Sequence, residues 1–215
     1  MSGPLNPSGK KNRFNKAWMN DHVHDHYVTE AQRLGYRSRA AFKLIELAQK
    51  DRLFRPGMTA VDLGAAPGSW CQVLREKLGP AARIVAIDLL PMDGIAGVNV
   101  IQGDFREETG VELLTAALAG HKADLVLSDL APNLSGVESA DQARSVYLGE
   151  LALDFSERWL KPGGDLVVKA FQGAGFPEFQ RTMQGHFDKV YARKPKASRD
   201  RSREVYLVGK GLVVS

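Results

Sequence analysis

Apolar positions along this chain recur with two periods, and the two alternate. Short runs rich in β-branched residues at 59–63, 83–88, 98–102, 124–128, 165–170 and 205–208 read as strands. Segments 69–78, 108–119, 140–160 and 177–186 carry helical spacing, with Leu148, Leu151, Leu153 and Trp159 forming the core face of the longest. A further helix is predicted over 38–48, where Ala41, Phe42, Leu44, Ile45 and Leu47 share a face and Ser38 stands as the N-cap. Strands separated by helices imply crossover connections, hence an α/β fold with a mostly parallel sheet and helices on both faces. The last two strands, near Val190 and Val205, have only a basic loop between them, so this pair is expected to be antiparallel at one edge of a seven-stranded sheet. Residues 1–30 lack sustained periodicity and are expected to be a flexible basic N-terminal tail, leaving 31–215 as a single domain.

Composition narrows the class. With 215 residues, 44% hydrophobic and 25% charged, the chain has enough apolar surface for one core, which excludes wholesale disorder. The single cysteine, Cys71, forbids an internal disulfide and suits a reducing compartment. No apolar run reaches the roughly 20 residues of a membrane span, and the N-terminus is polar and basic, so a cytoplasmic location without membrane attachment is expected. The net charge of +4 is unevenly distributed: residues 1–43 hold eight lysines and arginines against three acids, and 189–203 hold seven against one. Basic flanks on an acidic body suggest a polyanion-binding face, most simply for nucleic acid.

In a parallel α/β sheet ligands bind at the carboxyl ends of the strands. The first strand leads into Asp62-Leu63-Gly64-Ala65-Ala66-Pro67-Gly68-Ser69-Trp70, whose small residues admit a ligand close to the backbone and whose following helix offers free N–H groups. Pro67 removes one donor and G-x-G-x-x-G is incomplete, so a nucleoside fits better than a pyrophosphate. The second strand ends at Asp88, placed to accept from ribose hydroxyls, and the third at Gly103-Asp104-Phe105, where a carboxylate beside an aromatic ring can accept from an adenine amino group. This set points to S-adenosylmethionine as the cofactor. The fourth strand ends Ser128-Asp129-Leu130-Ala131-Pro132-Asn133, the fifth ends on Lys169, and Glu204 opens the last. A lysine finishing an apolar strand must emerge at the cleft or find partners, and a structural ion pair with Asp129 is the plainer alternative.

Five blocks then occur in one order: Tyr36-Arg37-Ser38-Arg39-Ala40-Ala41-Phe42-Lys43-Leu44, 61–70, 128–133, Val168-Lys169-Ala170-Phe171-Gln172-Gly173, and Ser198-Arg199-Asp200-Arg201-Ser202-Arg203-Glu204. From about Ala31 to Lys210 they resemble the FtsJ/RrmJ ribose methyltransferases. The resemblance implies a Rossmann-like S-adenosylmethionine-dependent methyltransferase fold and transfer to a ribose 2′-oxygen. For the bacterial ribosomal branch it implies a uridine of 23S rRNA in the large ribosomal subunit as acceptor; a monomer is expected. It carries a Lys-Asp-Lys-Glu tetrad onto Lys43, Asp129, Lys169 and Glu204, and cofactor positions onto Gly68, Trp70, Asp88, Asp104 and Asp129, with Gly64 in the same loop. Ser69 and Cys71 depart from the family's frequent Gly and Ser; Ser69 can instead cap its helix.

A ribose hydroxyl is a poor nucleophile, so transfer needs alignment and a route for the proton. Lys169 is the candidate base; if charged, it would instead orient the hydroxyl and stabilise charge developing on oxygen. Burial and Lys43 favour its neutral form, Asp129 and Glu204 its charged form, and both roles stay open. Arg37, Arg39, Lys194, Lys196, Arg199, Arg201 and Arg203 are expected at RNA phosphates, and Tyr36, Phe171 and Phe176 offer weaker candidates for base stacking. His22, His24 and His26, with Asp21 and Asp25, are expected to be solvated, and no metal is expected. Alternatives include an enzyme of the same family acting on tRNA or an mRNA cap, and a non-catalytic ribosome assembly factor. A base-nitrogen methyltransferase would prefer an N/D-P-P-Y/F end to the fourth strand, whereas Asp129-Leu130-Ala131-Pro132 keeps the acid and lacks the aromatic that would stack on a flipped base.

Overall fold

The computed structural model describes residues 26–132, 135–199 and 202–213. Seven strands, β1 (Thr59–Leu63), β2 (Arg83–Asp88), β3 (Val98–Gln102), β4 (Ala123–Ser128), β5 (Leu160–Phe171), β6 (Phe187–Arg193) and β7 (Glu204–Leu212), form one sheet in the order β3-β2-β1-β4-β5-β7-β6. β1 pairs in parallel with β2 and β4, β2 with β3, and β4 with β5. β7 runs antiparallel to both β5 and β6. The expected antiparallel pair therefore closes one edge, with β6 outermost.

Among the described residues six helices cover the faces: α1 (His26–Leu34), α2 (Ala40–Asp51), α3 (Ser69–Leu78), α4 (Glu108–Leu118), α5 (Glu138–Trp159) and α6 (Phe176–His186). Because side chains alternate along a strand, each central strand feeds two cores. Ala60, Ile84, Leu125, Leu127, Val167 and Val208 pack against Leu44, Leu47, Val73 and Leu74 of α2 and α3. Val61, Val85, Val126, Leu166 and Val168 pack against Leu114, Leu153, Phe179 and Met183 on the other side. β1 is buried along its whole length, which explains its unbroken apolar run apart from Thr59 and Asp62.

Three local expectations change. Residues 26–34, placed partly in the tail by the sequence, form α1, so the boundary expected between 30 and 31 falls inside a helix; only Ala31 on it is buried, too little apolar surface for a legible period. The rest of that tail, 1–25, lies outside the described residues. β5 begins at Leu160, not 165, because Leu160 pairs with Ala123 before a register shift, and Pro162-Gly163-Gly164 masks this start in the sequence. The helix expected from Ser38 begins at Ala40 with Arg39 as its N-cap, so Ser38 stands one residue before the cap, accepting from the Ala40 N–H at 3.2 Å, and Ser69 bonds to Ser38 Oγ at 2.7 Å instead of capping α3.

Candidate active site

Four separated segments bring Lys43, Asp129, Lys169 and Glu204 together at the carboxyl end of the sheet. β5 and β7 are registered so that Lys169 faces Tyr206 and Phe171 faces Glu204. Asp129 follows β4, held by its N–H to the Leu63 carbonyl at 3.1 Å, and Lys43 reaches in from α2. Lys169 Nζ donates to the Asp129 backbone carbonyl at 2.5 Å and lies 3.1 Å from Asp129 Oδ1. Lys43 Nζ pairs with Glu204 Oε1 at 2.6 Å, and Ser198 Oγ donates to the same oxygen at 3.0 Å. All four charged side chains are largely buried, at 7–21% exposure, which is tolerable only because each charge has a partner.

The two pairs are joined by a residue that the sequence reading left out of the site. Tyr206 is fully buried; its hydroxyl donates to Asp129 Oδ1 at 2.7 Å and lies 3.4 Å from both Glu204 Oε1 and Lys43 Nζ. Burial, reinforced by Asp129 and Glu204, pushes this phenol well above its ordinary value and keeps it a neutral donor. The signal was present in weak form: a tyrosine in a buried strand needs a partner for its hydroxyl. Its register opposite Lys169 depends on the β5–β7 pairing, which no local pattern encodes.

The glycine loop after β1 is set by contacts on both sides. Gly64 and Gly68 adopt φ of +79° and +104°, and a Cβ at Gly68 would fall 2.6 Å from Arg37 Nη1. Ser69 and Trp70 occupy the first turn of α3, where backbone N–H groups have no intrahelical acceptor. The Trp70 indole is buried, donating to the Ala40 carbonyl at 2.8 Å and lying against Tyr206, so its ring belongs to the core and only its backbone is at the loop. Asp88 Oδ2 accepts from the Ala66 N–H and Oδ1 from the Leu90 N–H, both at 2.8 Å, leaving lone pairs for ribose hydroxyls. Asp104 is held by Arg106, whose side chain donates at 2.6–3.2 Å and keeps the carboxyl below its usual range. Phe105, expected as an aromatic surface beside it, is instead in the core, edge-on to Phe155.

Beneath the loop lies Asp62, fully buried, with Oδ2 accepting from Cys71 Sγ at 3.1 Å and Oδ1 without a partner among the described residues. Burial, then the charges of Asp129 and Asp88, push this carboxyl up to about 7. Cys71, whose thiol burial pushes up, is inert packing.

The expected RNA contacts divide. The Arg37 guanidinium donates to the carbonyls of Pro67, Asp93 and Gly94 at 2.8–3.1 Å and ties down the glycine loop after β1. Arg39 donates to the Ala197 carbonyl, and Glu46 accepts from the Lys196 N–H at 2.7 Å, so the basic loop after β6 is folded onto α2 beside the tetrad. Lys194, Lys196 and Arg203 are exposed there, Lys194 donating to the Ser202 carbonyl at 2.8 Å and Arg203 pairing with Glu138; Arg199 is half-buried on the same loop. Arg201, Asn133, His22, His24, Asp21 and Asp25 lie outside the described residues; His26 opens α1 with its ring 5.8 Å from Tyr27. Tyr36 and Phe176 serve packing.

Residues 36–212 match the FtsJ-like methyltransferase family. The chain is 58% identical over 200 residues to the Azoarcus sp. protein named ribosomal RNA large subunit methyltransferase E, covering 93% of this chain and 98% of that one. It is 52% identical over 201 residues to the Pseudomonas aeruginosa protein of the same name, covering 94% and 97%. Among solved structures, a Plasmodium falciparum ribosomal RNA methyltransferase superposes with a TM-score of 0.73 at 33% identity, covering 84% of this chain and all of that one. Fold, tetrad and extent of likeness agree: the chain belongs to the FtsJ-like methyltransferase family.

Proposed function

We propose that this protein binds S-adenosylmethionine and methylates the ribose 2′-oxygen of a uridine in 23S rRNA of the large ribosomal subunit, acting as a monomer in the cytoplasm and supporting subunit maturation. The observation that carries this reading is the convergence of Lys43, Asp129, Lys169 and Glu204 from four segments onto one buried cluster at the strand ends. The names of the relatives point to the same RNA.

The loop fits the cofactor on its donor set: a carboxylate at Asp88 for the ribose, free N–H groups at the start of α3 for a carboxylate, and a backbone stripped of side chains at Gly64 and Gly68. When bound, that cofactor supplies a sulfonium methyl group, an electrophile needing no further activation. Lys169 supplies the proton route. Two of its N–H bonds are directed at Asp129, which leaves one tetrahedral position on Nζ for the acceptor hydroxyl. With Lys169 neutral, that position would carry a lone pair to take the hydroxyl proton as the C–O bond forms and the methyl–sulfur bond breaks; with Lys169 charged, it would instead donate to the acceptor oxygen and stabilise the charge developing there. Tyr206 and the Lys43–Glu204 pair hold Asp129, and with it Lys169, in place. Alignment of this kind is worth roughly 7–11 kcal/mol of the barrier.

The test is transfer of labelled methyl to large subunits, naked rRNA and tRNA, with nucleoside products identified by mass. 2′-O-methyluridine on subunits, lost in Lys169→Ala while cofactor affinity survives, is expected. Near-normal turnover by that variant removes Lys169 from the mechanism; label on tRNA alone moves the substrate, and no label on any RNA favours an assembly factor.

A further inference from the structure

Beyond the tetrad, at the end of β5, lies a cavity of about 280 Å³ lined by Glu138, Gln142, Phe171, Gln172 and Arg203. Phe171 stands two residues past Lys169, on the same side of the pleat and about 7 Å along the strand, and it is the cross-strand partner of Glu204. The proposed cofactor loops follow β1, β2 and β3, whereas the tetrad stands at β4, β5 and β7 and this cavity adjoins it at the ends of β5 and β7, on the side of the sheet away from those loops. In-line displacement puts the attacking oxygen opposite the leaving sulfur, which places the body of the acceptor nucleotide on the cavity side.

We propose that this cavity is the pocket for the acceptor base: a uracil stacked on Phe171, its N3–H donated to Gln142 Oε1 and a flanking carbonyl accepting from Arg203. The inference rests on the ribose-methylation reading above and adds the residues that choose the base. Its volume, just below the roughly 300–1,000 Å³ of ligand pockets, suits one flat ring. Gln142 Nε2 donates to the Gln172 carbonyl at 3.0 Å, which fixes the amide with its oxygen as the open acceptor; no described residue donates to that oxygen. Gly173 holds it there, because a Cβ at this position would overlap the amide nitrogen. Arg203 pairs with Glu138 through one nitrogen and retains other donors of its five. Cytosine, with a lone pair and no hydrogen at N3, would meet the Gln142 oxygen unfavourably, and a site left with such a mismatch discriminates strongly.

The experiment compares uridine and cytidine at the methylated position of rRNA reconstituted into large subunits, with wild-type protein, Gln142→Ala, Gly173→Ala and Phe171→Leu. Wild type should favour uridine. Gln142→Ala should lower kcat/KM on uridine about tenfold and leave cytidine unchanged, and Gly173→Ala, which displaces the amide without deleting it, should do the same. Phe171→Leu should weaken both substrates by about 5- to 100-fold. Cofactor affinity equal to wild type in each variant establishes that the fold persists. An unchanged uridine-to-cytidine ratio in Gln142→Ala, or altered selectivity at a neighbouring nucleotide only, overturns the proposal. Binding of the two RNAs without cofactor separates the two readings: a uridine preference that Gln142→Ala abolishes supports the pocket even if wild type transfers no methyl group, an outcome that would sink only the transfer reading.

Discussion

Tyr206 is where residue-scale chemistry departs most from the sequence reading. The tetrad was legible because each member stands in a recognisable block beside a strand end, but the hydroxyl that links its two halves sits inside an apolar strand. Tyr206→Phe keeps the ring against Trp70 and deletes the 2.7 Å bond to Asp129. A hydrogen bond to a charged group is worth roughly 1.5–3 kcal/mol. The expected result in single-turnover kinetics is a 10- to 100-fold lower rate with cofactor affinity intact; an unchanged rate would reduce the hydroxyl to packing. Asp62 offers a second test at this scale, through pH. Its folded value of about 7 lies above the ordinary 3.8, so between these limits the native state binds more protons than the unfolded chain. Stability from this group is therefore present below about pH 4 and is lost as pH rises towards 7, with a slope of at most about 1.4 kcal/mol per pH unit. Asp62→Asn should flatten that slope in denaturant titrations at pH 5 and 7.5; an identical slope in both proteins would contradict the assignment.

At the scale of elements, strands were read best and packing between helices least. The central strands match because buried parallel strands carry runs of Val, Ile and Leu bounded by turn residues, and Leu148 and Leu153 of α5 lie in the core as their spacing implied. The spacing could not show that α5 has a notch. Gly149 lies in the middle of that helix, where glycine costs about 1 kcal/mol relative to alanine, yet a Cβ there would fall 2.7 Å from the Phe179 ring of α6. Helix propensity and packing thus oppose each other at one position. Overpacking costs typically 1–3 kcal/mol, so packing should win and Gly149→Ala should lower stability by about 1 kcal/mol. A midpoint of urea unfolding at or above wild type would show that Phe179 moves aside at no cost. α1 was missed for a related reason: with only Ala31 buried, its identity rests on contacts such as Tyr27 against Phe42 rather than on its own pattern.

Over the whole molecule, the charge distribution implies a basic face, and the structure divides those charges by what they touch. Arg37 is tied to the glycine loop after β1, whereas residues 194–199, folded onto α2 through Arg39 and Glu46, present the exposed Lys194 and Lys196 beside the tetrad. Sequence counts charges but does not say which guanidinium is tied to a carbonyl, because the partners of Arg37 are backbone oxygens 30 or more residues away. If Lys194 and Lys196 each neutralise a phosphate, replacing both with alanine should weaken RNA binding irrespective of sequence. It should also reduce the slope of log affinity against log salt by about 1.4–1.8, since each phosphate contact contributes about 0.7–0.9. Filter binding or fluorescence anisotropy across a salt series measures this directly. A weaker complex with an unaltered slope would mean that the lysines shape the loop, for instance through the Lys194 bond to Ser202, and that the phosphate contacts lie on other cations.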